Sequence, residues 1–154
     1  MIYLEKERRN NEALLHYWEK LCAGRPFPCE DDLELDQLLP LWDECFLLQS
    51  RDVKMKKDYN FTYLGRSVLM AYQAGQIPYF IKGVVSPEAT HLAEQFEQVI
   101  AHPAPLVTEG EHPITGRGIF RFRQILLPLS HQSGQVDVIL GRLAFRMYRE
   151  DEEA

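Results

Sequence analysis

The stretch that decides the fold of this chain runs from Arg117 to Met147 and reads RGIFRFRQILLPLS, HQSGQ and VDVILGRLAFRM. Two long strand-like runs flank a short polar segment that contains Gly134. Such runs around a glycine-containing turn predict a β-hairpin, with arms longer than most strands. Because the chain carries no catalytic motif, its architecture is the main guide to function, and this hairpin implies a broad antiparallel sheet that helices must cover.

The two arms of the predicted hairpin have chemically different faces. We set Arg123 opposite Arg142 and Ile125 opposite Leu140, a register chosen for chemical consistency. One face is then apolar and aromatic, so we expect helices to cover it. Its members are Phe120, Phe122, Gln124, Leu126, Ile139, Gly141, Leu143 and Phe145. The opposite face mixes aliphatic residues with arginines.

The chain opens with a predicted amphipathic helix from about Tyr3 to Ala23. Leu14, Trp18 and Leu21 recur there at helical spacing and form an apolar stripe. The first half, Glu5 to Glu12, is polar all round, so we expect it to project beyond the core.

Further strands and helices lie between the opening helix and the hairpin. We predict strands at Trp42–Gln49, Asp58–Leu64 and Pro105–Glu111, a charged connection from Ser50 to Lys57, and helices at Leu33–Leu39, Ser67–Ala74 and from Ser86 onward. In the second strand, Tyr59, Phe61 and Tyr63 alternate with polar residues and should share one face. The order predicts an α+β fold: a five-stranded antiparallel sheet with helices on one face and an N-terminal amphipathic helix.

Composition narrows the class of partner. The formal net charge is −6 at pH 7, which disfavours nucleic acid and anionic membrane surfaces, because both need basic protein surface. The sequence contains no apolar run long enough to span a bilayer and no apolar signal core, so we expect a cytoplasmic protein. Its cysteines, Cys22, Cys29 and Cys45, form no C-x-x-C pair, which is typical of reduced structural thiols.

Several short motifs, in this order and spacing, resemble a bacterial, largely single-domain family of PAS proteins over about residues 13–148. They are Tyr17-Trp18, Pro28, Leu38-Leu39-Pro40, Phe46-Leu47-Leu48, Phe61-Thr62-Tyr63-Leu64-Gly65, Leu126-Leu127-Pro128-Leu129 and Val138-Ile139-Leu140-Gly141. We therefore divide the chain into an N-terminal helix at 1–24, a PAS-like domain at 25–148 and an acidic tail at 149–154. The resemblance further implies a sensory or protein-interaction domain, often dimeric, with a cavity between sheet and helices.

Two cofactors found in proteins that resemble this family are disfavoured. Helical geometry turns His91 about 140° away from the apolar stripe of its predicted helix, so we expect it to face solvent and not to ligate haem. Flavin-binding relatives carry a reactive cysteine in a motif of the type Asn-Cys-Arg-Phe-Leu-Gln. The nearest segment here, Gly65 to Leu69, has none. We therefore expect no haem and no flavin-thiol adduct, although an unidentified small molecule remains open.

Three classes of function stay open at this point: a small-molecule sensor in bacterial signal transduction, a ligand-free adaptor that only mediates protein–protein contacts, and an enzyme. The enzyme is the weakest, because the sequence has no catalytic triad, metal cluster or phosphate loop. The acidic run from Glu30 to Asp36 lacks the spacing and the glycine of a calcium loop, so we expect no metal.

Gln124 is the one polar residue on the otherwise apolar hairpin face. It could hydrogen-bond a ligand in a site that Tyr59, Tyr63, Phe122 and Leu143 also line, or it could be satisfied by a tyrosine or by backbone.

The arginine-bearing hairpin face suggests a protein interface. We expect Leu14, Trp18 and Leu21 of the opening helix to pack on it in a homodimer. Arg121, Arg123 and Arg142 would lie in that interface, with Glu12 and Glu19 meeting them at its rim. The alternative is that the helix covers the sheet of its own chain and leaves a monomer. In either case, we expect the signal to leave by contact with other signalling proteins.

Overall fold

The computed structural model of the protein describes residues 2–74, 80–81, 84–85, 90–114, 118–131 and 134–149. Four α-helices are described: α1 (Ile2–Cys22), α2 (Leu35–Leu38), α3 (Arg66–Ala74) and α4 (Thr90–Ala101). The strands are β1 (Cys45–Val53), β2 (Lys56–Leu64), β3 (Phe80–Ile81), β4 (Val84–Val85), β5 (Leu106–Ile114), β6 (Gly118–Leu129) and β7 (Val138–Arg149). Two 3₁₀ helices, Glu30–Asp32 and Leu39–Glu44, precede β1.

The sheet confirms the predicted α+β fold. Its order is β3-β4-β2-β1-β7-β6-β5 and all its pairings are antiparallel. The five long strands are the predicted ones, and β3 and β4 add two residues each at one edge. The predicted start of the fourth helix, Ser86 to Ala89, lies outside the described residues, as does the tail beyond Arg149.

The first two strands differ from their predicted bounds. The 3₁₀ helix Leu39–Glu44 occupies the predicted start of β1, so the strand begins at Cys45. The charged segment predicted as a connection is mostly strand, because β1 and β2 are joined by a turn of only two residues, Lys54 and Met55. Both have positive φ, 50° and 69°, the conformation of tight turns that match strand twist.

The hairpin is present, but its predicted register is wrong by two residues. Ile125 lies opposite Arg142, and Leu127 lies opposite Leu140. A shift of two residues preserves the side-chain alternation of a strand. The predicted assignment of residues to the two faces is therefore correct.

A β-bulge overturns the predicted alternation in β2. Leu47 pairs with Tyr63 and Leu48 with Phe61, so Thr62 is an extra residue on this strand. Tyr63 consequently turns to the opposite face from Phe61. There its ring stacks on Trp42 at 4.0 Å between centroids, and its hydroxyl donates to the Trp42 carbonyl oxygen at 2.9 Å.

The sheet separates two apolar layers. The inner layer, under α3 and α4, contains the buried residues Phe46, Leu48, Tyr59, Val68, Ala71, Phe96, Val99, Phe120, Leu126, Ile139 and Leu143. The outer layer, under α1, contains Leu14, Trp18, Cys22, Leu38, Cys45, Leu47, Ile125, Leu127, Leu129, Val138 and Leu140. Burial of these side chains is the main source of stability on both sides.

The opening helix covers the sheet of its own chain. Leu14 and Trp18 are buried in the outer layer, and the Trp18 indole donates to the Pro128 carbonyl oxygen at 2.8 Å. The expected contact between helix and sheet thus exists, but within one chain, which corrects the expectation that it joins two chains. A homodimer through any other surface stays a prediction.

Candidate functional site

The first candidate site surrounds Gln124 in the inner layer. The Gln124 side chain is fully buried, and its Nε2 donates to Gln95 Oε1 at 2.5 Å and to Thr108 Oγ1 at 3.4 Å. The Thr108 hydroxyl also donates to Gln95 Oε1, at 3.3 Å. Gln124 Oε1, in contrast, is buried without a hydrogen-bond partner. An unpartnered buried acceptor is costly, so this oxygen marks the place where a ligand donor would be stabilised.

Strand pairing arranges the neighbours of Gln124 in three rows across β5, β6 and β7. The rows are Gly110–Phe122–Phe145, Thr108–Gln124–Leu143 and Leu106–Leu126–Gly141. None of these residues carries a charge. Phe122 and Phe145 are only partly buried, whereas Leu126 and Gly141 are buried. The amide therefore lies between a deep apolar row and a row with partly exposed aromatic rings.

Tyr59 holds the second unpartnered polar atom of the inner layer. Its hydroxyl is buried without a partner, and its ring lies 5.7 Å from that of Phe96 between centroids. Burial, and secondarily the nearby Glu97 carboxylate, raises the pKa of Tyr59 to about 12. The phenol therefore stays protonated at neutral pH and is available as a donor.

The structure brings together only part of the predicted ligand set. Phe122, Gln124 and Leu143 lie in adjacent rows, as expected. Tyr59 is in the same layer, but β1 and β7 separate its strand from that of Gln124, so about 14 Å lies between the two backbones. Tyr63 lies in the other layer because of the bulge, and its place in the set was wrong.

The second candidate site is a buried ionic cluster in the outer layer around Arg142. The Arg142 side chain is 0% exposed, and its guanidinium contacts three side chains on two elements. Nε donates to Glu44 Oε2 at 2.7 Å, Nη1 to Asn11 Oδ1 at 2.8 Å, and Nη2 to the Glu7 carboxylate. Glu7 is buried and Glu44 is partly exposed. The cluster ties α1 and the end of the second 3₁₀ helix to the central strand β7.

The electrostatics of this cluster make α1 docking depend on all its members. A guanidinium removed from water is stable only when carboxylates and amides replace its hydration. Cys45 pairs with Arg142 across β1 and β7, and the pKa of its thiol reflects the exclusion of water from this site. Burial raises the pKa of its thiol to about 12, although Arg142 opposes the shift.

The predicted interface residues lie in different parts of the structure. Leu14 and Trp18 pack on the outer layer of their own chain, where Arg142 binds other residues of α1, while Leu21 is half-buried. Arg121 and Arg123 instead pair with carboxylates of β5, at 3.5 Å with Glu111 and 2.9 Å with Glu109.

The expected partners of the arginines were wrong for Arg142. Glu7 and Asn11 bind it, not Glu12 or Glu19, so α1 from Glu7 onward does not project beyond the core. A signal was present in the sequence: Glu7 and Asn11 precede Leu14 and Trp18 at i, i+4, i+7 and i+11 and continue the same helical stripe.

One strand connects the two sites. Arg142 and Leu143 are neighbours in β7, and successive residues of a strand point to opposite faces. Leu143 lies opposite Gln124 in the inner layer, while Arg142 holds α1 in the outer layer. The residue opposite Gln124 and the anchor of α1 are therefore adjacent on one strand.

Other expectations concern metals, haem and membranes. Among the described residues, no group of three or more His, Cys, Asp or Glu side chains is placed to hold a metal ion. The side chain of His91 lies outside the described residues. Within the described part of the chain, no helix is long and apolar enough to cross a membrane.

Comparison with known protein families gives a match. No curated protein matches the sequence significantly. The sequence profile of the PAS domain family matches residues 6–144, a span that includes most of α1 and both candidate sites except Phe145.

Proposed function

The chain belongs to the PAS domain family, and on that premise we propose that it is a sensory domain in which binding at the inner layer changes how α1 docks on the outer layer. The observation that carries this proposal is the pair of neighbours Arg142 and Leu143, which belong to different sites on one strand. The mechanism is a population shift between docked and released α1, driven by the ligand's different affinity for the two states.

Release of α1 would provide the output. The helix buries Leu14 and Trp18, and the sheet beneath it buries Leu127 and Leu140. Separation would expose two apolar surfaces that another protein can cover. We propose that such partners are signalling proteins of a bacterial cytoplasm or a second copy of the chain. We also propose that the chain is not an enzyme and carries no haem or flavin-thiol adduct.

A ligand-free adaptor is the second candidate, and one observation favours it. Phe46, Phe96 and Phe120 are all nearly or fully buried in the inner layer, as in a core filled by its own side chains. In that case a partner protein, and not a small molecule, would bias α1. Native mass spectrometry of the purified protein distinguishes the two candidates, because it reports bound small molecules and oligomeric state together.

The coupling itself can be tested without a ligand, by amide hydrogen exchange. Leu143→Ala should loosen the inner layer at β7 and speed exchange in α1 by tenfold or more, since local openings draw on the stability of their contacts. Val99→Ala is the matched control, because Val99 is equally buried in the inner layer but lies on α4.

Rates in α1 should be compared after correction for each variant's free energy of unfolding. Selective loosening of α1 in Leu143→Ala supports the proposal. Equal rates in α1 for both variants would show that β7 does not transmit inner-layer changes.

A further inference from the structure

We infer that the inner layer beside Gln124 binds a small, neutral, aromatic molecule that carries one hydrogen-bond donor. This inference deepens the proposed function and rests on it. Three independent features of the described residues support it: an unpartnered acceptor, an uncharged lining and a row of aromatic rings.

The acceptor sets the polarity of the ligand. Gln124 Nε2 is engaged by Gln95 and Thr108, while Gln124 Oε1 has no partner. In the orientations that the structure gives to both amides, Gln124 Nε2 faces Gln95 Oε1, and the atom left without a partner is Gln124 Oε1. The free position is therefore an acceptor, and it calls for an N–H or O–H group.

The lining sets the charge of the ligand. The three rows around Gln124 contain only apolar side chains, glycine, threonine and glutamine. An ion placed against these rows would lose its hydration without gaining a counter-ion from any of their residues, which is strongly unfavourable. Gln95 and Thr108, the partners of the amide, are only partly buried, so the β5 side is where the amide lies nearest to solvent.

The rings set the shape of the ligand. Phe145 lies 5.5 Å from Phe120 between centroids at an interplanar angle of 21°, and Phe122 lies 6.0 Å from Phe120 at 33°. Phe122 and Phe145 are the partly exposed members of this group. A flat ring can stack on them at the distances that aromatic pairs favour while its donor reaches Gln124.

Three related probes separate these features by isothermal titration calorimetry: indole, 1-methylindole, which lacks the donor, and indole-3-carboxylate, which adds a charge. Indole should bind about tenfold more tightly than 1-methylindole, the typical effect of one hydrogen bond to a buried acceptor. The carboxylate should bind more weakly than indole by at least the same factor.

Gln124→Leu is the matched variant, since an apolar side chain suits its surroundings. In this variant indole and 1-methylindole should bind equally. A preference for indole that persists would come from shape and would overturn the role of the acceptor, as would equal binding of both to the unaltered protein.

Tighter binding of the carboxylate, or no binding of any probe at millimolar concentration, would overturn the ligand class. Neither result would touch the coupling of β7 to α1, which the exchange experiment tests without a ligand.

Discussion

The inner and outer layers are built on the same strands but are held together in different ways. The inner layer consists of uncharged side chains, and aromatic rings such as Phe46 and Phe120 fill it. The outer layer adds a fully buried cation, Arg142, with Glu7 and Glu44 beside it. Apolar contacts weaken gradually as they are lost, whereas a buried ion is tolerated only with its partners in place. The inner layer is therefore suited to adapt to a ligand, and the outer layer to hold α1 in one of two discrete states.

The proposed contrast between the two layers depends most on Arg142, and it would be contradicted if Arg142 proved dispensable. Arg142→Met should destabilise the protein by about 3–5 kcal/mol, because it leaves the Glu7 carboxylate buried without a cation. The double variant Arg142→Met with Glu7→Met should regain much of that loss, since well-packed apolar replacements of a buried pair are often neutral. Urea unfolding measures both.

Arg146→Met supplies the control for this prediction. Arg146 lies on the same strand and face but is exposed, so its replacement should change stability by less than about 0.5 kcal/mol. Equal small losses for both arginines would mean that α1 is held by apolar contacts alone.

Truncation of aromatic rings tests how strongly apolar packing stabilises the inner layer. Phe120 is 1% exposed, so Phe120→Ala should cost about 3–5 kcal/mol. Phe122 is only partly buried, so Phe122→Ala should cost distinctly less than the same change at a fully buried ring. Thermal unfolding of the two variants tests the gradient, and a larger loss at Phe122 would reverse the proposed order of depth.

Close packing in the inner layer predicts a smaller effect at Gly141. A Cβ atom at this position would lie 2.1 Å from Cζ of Phe46, so Gly141→Ala should cost about 1–3 kcal/mol through overpacking. Adding Phe46→Leu should recover part of this loss if the phenyl ring is its cause. No recovery would place the strain in the backbone.

The smallest effect should come from Tyr59→Phe, which removes a buried hydroxyl that has no partner. At pH 7 the change in stability should be within about 1 kcal/mol, with no loss of packing. The pH dependence is more informative. The folded state raises the pKa of Tyr59 from 10.0 to about 12, so this group's contribution is present below pH 10 and is lost as pH rises toward 12.

Urea unfolding between pH 9 and 12 tests this sign. The Phe variant should lose less stability over that range than the unaltered protein. Parallel curves for both proteins would show that Tyr59 titrates normally in the folded state.

The inner layer could largely be predicted from the sequence, for a physical reason. Side-chain alternation reveals which residues share a face, and a register error of two residues at Ile125 leaves that information intact. The bulge at Thr62 could not be foreseen, because one inserted residue reverses every later position without changing composition. Tyr63 was therefore placed in the wrong layer.

The outer layer was harder to predict because its partners are distant in sequence. Periodicity identified Leu14 and Trp18 as a buried stripe, but Glu7 and Asn11 look like solvent-facing residues until Arg142 is known to lie opposite them. Pairing of a buried charge depends on tertiary position, which helical spacing alone does not supply. The Gln124 site could be predicted only in part. Alternation identified Gln124 as a polar residue on an apolar face, but it did not identify Gln95 and Thr108 as its partners.

The distance along the chain between the members of the Arg142 cluster has a consequence for biogenesis. Glu7 and Arg142 are 135 residues apart, and chains are synthesised at roughly 5–20 residues per second. For on the order of ten seconds, the newly made α1 has no β7 on which to dock and lacks the tertiary packing that supplies most of a helix's stability in a protein. During that interval the apolar stripe of Leu14, Trp18 and Leu21 can contact neighbouring nascent chains. Synthesis on closely spaced ribosomes is therefore the stage at which this protein is most exposed to misassembly.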